Sequence, residues 1–237
     1  MFWAVRKKIA DFIVNPRNLK PECVDSYRLN LLGDRDIENS WVAAHIGSSG
    51  GNALDFGSGG SALGLVAAMA GYDVTCIDLN KVRWFYNHPM MCFVQGDILK
   101  LDLIESSYDL VINCSAVEHV GLSGRYGVEL DLEDGDLAAM KRLCELMAQH
   151  GKMLLTIPVG RDAVFAPMCR VYGQDRLPRL LSGFDVEKES YWVKDAQNRW
   201  IMCAKDFALN IKADASVPDA LRAIYGLGCF VLRKKDI

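Results

Sequence analysis

The chain has 237 residues, enough for one large α/β domain with its own core and short for two. Apolar residues make up 51% and charged residues 24%, the balance of an ordinary globular protein. A net charge of -3 lacks the basic excess of a nucleic-acid surface, and no apolar run reaches the ~18 residues that would span a bilayer.

Eight cysteines are present, but Cys76, Cys114 and Cys229 sit inside apolar runs, where cysteine behaves as a small hydrophobe. No C-x-x-C pair occurs. The cysteines therefore read as reduced thiols of a reducing compartment, the cytoplasm, and not as a disulfide framework or a zinc site. The histidines are scattered without H-x-x-x-H spacing, so no metal is expected.

In chain order, residues 1–50 read as an N-terminal helical segment packing on the core, and residues 51–237 as one domain. Met1 to Val14 is apolar on one side (Phe2, Trp3, Val5, Ile9, Phe12, Ile13) and carries Arg6, Lys7, Lys8 and Asp11 elsewhere. Charges in its middle exclude a signal-peptide core. It reads as a helix packed on the domain or on a partner, which leaves a homodimer open. Peripheral contact with anionic lipid is the alternative. A later helix is expected near Asp36 to Ile46, capped by Asp34 or Asp36 and ended by the turn Gly47-Ser48-Ser49-Gly50-Gly51.

From Asn52 the pattern alternates. A strand, Ala53 to Phe56, is stopped by Gly57-Ser58-Gly59-Gly60. A helix over Ala62 to Ala70 and a strand over Asp73 to Asp78 complete a βαβ unit of roughly 30 residues. A short helix is expected over Val82 to Asn87, then strands at Met91 to Val94 and Tyr108 to Cys114. A helix follows over Gly135 to Gln149, capped by Gly151, and then a strand from Lys152 to Ile157 stopped by Pro158. Val186 to Val193 and Trp200 to Cys203 flank a polar turn and read as an antiparallel hairpin. Cys229 to Leu232 reads as a closing strand. The expected fold is α/β and Rossmann-like, with a mostly parallel seven-stranded sheet, an antiparallel edge and helices on both faces.

The main functional signal lies in Asp55-Phe56-Gly57-Ser58-Gly59-Gly60. A glycine-rich turn between strand and helix lets a ligand approach the backbone and points free N–H groups at it. Asp78 ends the next strand, 19 residues after Gly59, where an acid can hold ribose hydroxyls. These two features alone fit NAD as well as S-adenosylmethionine (SAM). Asp55 two residues before the first glycine, Gly96-Asp97-Ile98 after the third strand, and Tyr108-Asp109-Leu110-Val111-Ile112-Asn113-Cys114-Ser115-Ala116-Val117-Glu118-His119-Val120 favour SAM.

Over Asn52 to Val159 the chain resembles the class I SAM-dependent methyltransferases of the broad type 11 group. That resemblance implies a residue-specific cofactor site. Gly57 and Gly59, with Asp55 and Ser58 in the same turn, approach the methionine moiety and ribose. Asp78, with Leu79 beside it, binds the ribose hydroxyls, and Asp97 and Ile98 flank adenine. Cys114 and Ser115 line the floor near the methyl group. Gly124-Arg125-Tyr126-Gly127, Ile157-Pro158-Val159-Gly160 and Arg170-Val171-Tyr172-Gly173 are similar to a methyltransferase-like family without an assigned substrate.

The reading is thus an enzyme that methylates a hydroxyl of a small polar acceptor, such as a sugar or glycan-related metabolite. N-methylation of an amine such as an amino sugar, or SAM binding without turnover, are the alternatives. His119, at the carboxyl edge of the sheet and with an ordinary pKa of about 6.5, is the candidate base; Tyr126 is a second catalytic candidate. Glu118, Arg125, Asp131, Arg161 and Tyr172 are candidates for the acceptor side. The acids of the loop Gly121 to Gly135 fit a polyhydroxyl acceptor or, as hard oxygen ligands, a metal, or else a solvated helix start. The arginines after Pro158 (Arg161, Arg170, Arg176, Arg179) fit an anionic substrate group or, equally, a solvated face.

Overall fold

The structure is a computed structural model that describes residues 33–216 and 222–235. The amphipathic segment Met1 to Val14 lies outside these residues. The first described element, α1 (Asp34–His45), starts on Gly33 with no side-chain cap; Asp34 and Asp36 instead occupy its first turn, where acids suit the helix dipole. Then come β1 (Gly51–Phe56), α2 (Leu63–Met69), β2 (Tyr72–Asp78), β3 (Met91–Gln95), β4 (Tyr108–Cys114) and a 3-10 turn, Val117–His119. The second half holds α3 (Gly135–Leu146), β5 (Met147–Val159), β6 (Ala163–Phe165), β7 (Cys169–Val171), α4 (Arg176–Leu180), β8 (Phe184–Lys194), β9 (Trp200–Cys203), α5 (Lys205–Leu209) and β10 (Gly226–Lys234).

Eight strands form the central sheet in the order β3-β2-β1-β4-β5-β10-β8-β9, one more than the seven expected. The first five pair in parallel. β10 inserts antiparallel between β5 and β8, and β8 and β9 form the antiparallel hairpin at the edge. A second, two-stranded sheet pairs β6 with β7. Successive residues of a strand point to opposite faces, so β1 serves two cores. Leu54 and Phe56 pack with Ala139, Met140 and Leu143 of α3. Ala53 packs on the other face with Val42 of α1 and Leu63 and Ala67 of α2.

Three local expectations change. Residues 82–87 form no helix. They run as an extended strap: Trp84 Nε1 donates to the Gly59 carbonyl at 3.1 Å and Tyr86 Oη to the Ser61 carbonyl at 2.5 Å. Trp84 also stacks on Tyr86 and meets Phe93 edge-on, contacts that an extended chain satisfies better than a helical turn. α3 stops at Leu146 because Met147 already pairs with Tyr108. Gly151 therefore lies inside β5, where a Cβ would come within 2.7 Å of the Tyr108 carbonyl oxygen. The strand also continues through Pro158. Its last partner on β4 is the Thr156 pair, so the amide hydrogen that proline lacks would meet no neighbouring strand there. The Pro158 carbonyl, on the same side, accepts from Tyr172 N–H at 3.1 Å.

The insertion after β5 braces the loop between the 3-10 turn and α3. Arg170, 2% exposed, donates to the carbonyls of Val120 (2.6 Å), Leu132 (3.0 Å) and Glu133 (3.2 Å), so one guanidinium ties both ends of the loop. Asp136 at the start of α3 is wholly buried between Arg176, which grips both its oxygens at 2.5 and 2.9 Å, and Arg170 at 3.7 Å. Removing one member of a buried, hydrogen-bonded ion group leaves the others uncompensated. Asp136→Ala should therefore lower unfolding stability by about 3–5 kcal/mol. Urea denaturation measures this; a loss near zero would show the cluster to be dispensable.

Candidate active site

In an open parallel sheet the ligand crevice lies at the carboxyl ends of the strands, where the chain reverses its direction of build. Here that point lies between β1 and β4. A cleft of about 840 Å³ opens there, lined by the ends of β1, β2, β3 and β4, by α1 and by the loop after the 3-10 turn.

One wall is the glycine turn. Gly57 N–H and Ser58 N–H both donate to the Ile77 carbonyl, at 2.9 and 3.1 Å, which pins the turn to the end of β2. Gly57 sits at φ +69°, and a Cβ there would come within 2.4 Å of Ala116 Cβ. A side chain on Gly60 would meet nothing within 4 Å, so this stretch of main chain is bare toward the cleft. Asp78 Oδ2 accepts from Gly59 N–H at 3.0 Å and its Oδ1 from Asn80 N–H at 2.8 Å, which orients the carboxylate at the cleft edge. Asp97 receives Leu99 N–H at 3.0 Å and pairs with Lys100 at 3.3 Å. Leu79 and Ile98 add apolar surface between the two acids.

Beneath the turn, Asp55 is 2% exposed and its Oδ2 has no hydrogen-bond partner. Burial pushes its carboxyl up to about 7, offset in part by the Gly64 backbone N–H. Ser58 Oγ, also buried at the cleft, has no partner either.

The opposite end is built around β4 and the 3-10 turn. Asn113 Oδ1 accepts from Val117 N–H at 3.2 Å and starts that turn. Ser115 adopts a left-handed conformation (φ 46°), held by its N–H donating to the Thr156 carbonyl at 3.0 Å. Glu38 of α1, fully buried, accepts from Ser115 Oγ and from Thr156 Oγ1 (2.9 Å) and pairs with Arg35 at 3.2 Å. Burial pushes the Glu38 carboxyl up and Arg35 offsets part of that shift.

His119 lines the cleft, and its Nδ1 lies 2.6 Å from the Met168 carbonyl. A carbonyl only accepts, so Nδ1 carries the proton and Nε2 keeps its lone pair. Burial, then Arg125, lower the imidazole to about 4. Glu118 Oε1 lies 3.6 Å from Nε2, and burial raises that carboxyl to about 8. Near neutral pH both groups are therefore uncharged. Tyr126 sits over this end, its ring centroid 5.2 Å from His119 and 4.6 Å from the Arg125 guanidinium carbon.

The structure thus brings Asp55, Gly57, Ser58, Gly59, Asp78, Leu79, Asp97, Ile98, Cys114, Ser115, His119 and Tyr126 to one cleft. Glu118 and Arg125 stand directly behind it, Arg125 donating to the Met168 carbonyl at 3.2 Å. Three acceptor-side candidates lie elsewhere. Asp131 closes its own loop by accepting from Ser123 N–H at 2.7 Å. Arg161 holds the Asn210 carbonyl at 3.1 Å. Tyr172 is 0% exposed in the core. Arg170 and Arg176 are likewise spent on internal carbonyls and Asp136. Arg35 and Asn39 of α1 line the cleft and were not anticipated, because a helix 20 residues before the glycine turn carries no local sign of facing it. Among the described residues no cluster of histidine, cysteine and acids fits a metal, and seven free cysteines are present. No helix among them is long and apolar enough to cross a membrane.

Comparison with known proteins agrees with this geometry at the level of fold. The N1-methyltransferase of 1,6-didemethyltoxoflavin from Burkholderia thailandensis superposes with a TM-score of 0.55 over 98% of this chain and 88% of its own, at 14% identity. The [4+2]-cyclase SpnF gives 0.56 over 84% and 80%, at 15% identity. The N-methyltransferase NodS from Bradyrhizobium japonicum gives 0.51 over 85% and 86%, at 14% identity. The chain has the fold of the class I SAM-dependent methyltransferases. Residues 89–206 match the family DUF268, described as a Caenorhabditis protein of unknown function. No curated protein matches the chain.

The buried acid under the glycine turn has a measurable consequence. Asp55 keeps its proton to about pH 7 in the folded chain but loses it near the ordinary value of 3.8 when unfolded. Between those values the folded state binds more protons, so the group costs stability as pH rises from about 4 to 7. Asp55→Asn removes that cost. Its stability relative to the unmodified protein should climb by on the order of a few kcal/mol over this window, read from urea titrations at several pH values. A pH-independent difference would place the carboxyl in contact with water.

Proposed function

We propose that the protein is a SAM-dependent methyltransferase acting on a hydroxyl of a small polar acceptor, such as a sugar-related metabolite. The observation that carries this reading is the single cleft joining bare glycine main chain and the carboxylates of Asp78 and Asp97 at one end to a neutral His119 at the other. The fold alone does not carry it, since SpnF has the same fold and is a cyclase. The fit of the cofactor is supported by the open space at Gly60 and by a buried cleft-lining oxygen without a hydrogen-bond partner, Ser58 Oγ.

In this reading Asp78 receives the ribose hydroxyls, Asp97 and Ile98 flank the adenine, and Gly57 and Gly59 meet the ribose and methionine portion. Arg35 supplies the one cation from α1 for the methionine carboxylate. The bound cofactor contributes a methyl group on a positively charged sulfur, already electrophilic. The protein then has to align the acceptor oxygen and exclude water, which is worth about 7–11 kcal/mol of such a barrier. As the oxygen–carbon bond forms, the hydroxyl proton becomes strongly acidic. A neutral imidazole, even a weak base, can then take it at Nε2. Tyr126 covers the acceptor over His119.

A second reading, N-methylation of an amine, is favoured by the names of the 1,6-didemethyltoxoflavin N1-methyltransferase and NodS neighbours, both N-methyltransferases. An amine needs to arrive neutral, and Arg35 and Arg125 disfavour an ammonium ion at this end.

Calorimetry with S-adenosylhomocysteine should give saturable heat with the purified chain and none with NAD. Gly57→Ala should weaken the binding by more than about tenfold through the Ala116 clash. No heat with the unmodified chain would overturn the reading. Incubating SAM with panels of hydroxylated and amine compounds separates the two chemistries. His119→Ala should slow formation of S-adenosylhomocysteine with hydroxyl acceptors about 10²–10⁴-fold and leave amines nearly unaffected.

A further inference from the structure

We propose that the β6–β7 hairpin is the positioning element of the acceptor site. Through the Met168 carbonyl it fixes the proton of His119 on Nδ1, and through Arg170 it fixes the loop that carries Tyr126. The inference rests on the proposed role of His119 but is tested without turnover.

The hairpin lies some forty residues beyond His119, and two of its groups reach back to it. The Met168 carbonyl accepts from His119 Nδ1 at 2.6 Å and from Arg125 at 3.2 Å, so one oxygen serves both the imidazole and the covering loop. Two residues on, Arg170 holds Val120, next to His119, and also Leu132 and Glu133 at the far end of that loop. Arg170 is itself buried and fixed by Asp136. The arrangement leaves the ring one hydrogen-bonded nitrogen and one nitrogen with its lone pair. A free neutral histidine prefers the opposite tautomer, with the proton on Nε2, so the state of the ring reports directly on the hairpin. The charged and titratable groups around the ring are Glu118 on its own turn, Arg125 and Tyr126 from the loop, Arg170 from β7, and Arg35 from α1.

Long-range proton–nitrogen NMR on protein labelled at histidine nitrogen reads the tautomer, with His119→Gln assigning the signals. At pH 7 in ligand-free protein we expect protonated Nδ1 and bare Nε2. Proton on Nε2, or averaged signals, would overturn the inference. Arg170→Lys keeps the charge but cannot span three carbonyls, and should produce averaged nitrogen signals while S-adenosylhomocysteine binds as before. A fixed Nδ1–H state in a folded Arg170→Lys protein would also overturn it. Should that variant fail to fold, Arg125→Leu takes its place: with no side-chain donor left at that position for the Met168 carbonyl, the His119 Nδ1 proton should exchange with water more slowly, and an unchanged or faster rate counts against the shared oxygen. Loss of adenosyl-ligand binding in the unmodified chain sinks the proposed function and leaves this result standing.

Discussion

The reversal of strand order between β1 and β4 is the constraint on which the molecule turns. The connections that leave the carboxyl ends of β1 and β4 run to opposite faces of the sheet, α2 packing on one and α3 on the other, so the two strand ends diverge there. Everything at the cleft is a consequence. The glycine turn leaves β1 on one side, the 3-10 turn leaves β4 on the other, and their free main-chain groups face each other across unfilled space. The hydrogen bonds from Gly57 and Ser58 to Ile77, and from Ser115 to Thr156, fix each rim to the neighbouring strand, so the opening is held by the sheet and not by loops alone.

What the sequence made legible follows from that geometry. Strand ends and the glycine turn are local: Tyr108 to Cys114 is a run of β-forming residues and was readable to the residue, and Asp78 and Asp97 were found because the first ends a strand and the second follows one. The acceptor side was less readable because its side chains are used over long separations. Arg170, Arg176 and Tyr172 have the residue types of a substrate-binding surface, yet the side-chain partners of the two arginines are 37 to 50 residues away in sequence, and Tyr172 is buried in the core. No local pattern distinguishes an arginine that meets a ligand from one that meets a carbonyl. The same holds for Trp84 and Tyr86, in a segment read as a short helix, whose donors instead meet the carbonyls of Gly59 and Ser61.

The electrostatics of the two ends differ in kind. At the glycine-turn end Asp78 and Asp97 are half-exposed and held by backbone N–H groups. At the His119 end burial dominates: it raises Glu38 and Glu118 and lowers His119, so Glu118 and His119 are uncharged near neutral pH, with Arg35 and Arg125 close by. A low-dielectric pocket with few mobile charges offers water little to bind, and water is the competing nucleophile there.

Glu38 also bears on where the folding unit begins. Its carboxylate bonds Ser115 and Thr156 at the ends of β4 and β5, while Val42 and Ile46 of the same helix belong to the core beneath β1. A fragment begun at the glycine-serine turn would retain every strand of the sheet yet strip the Ser115 and Thr156 hydroxyls of their acceptor and bare one face of the core. The helix before residue 50 is therefore a structural wall of the domain, and any shortened version of this chain meant to stand alone must include it.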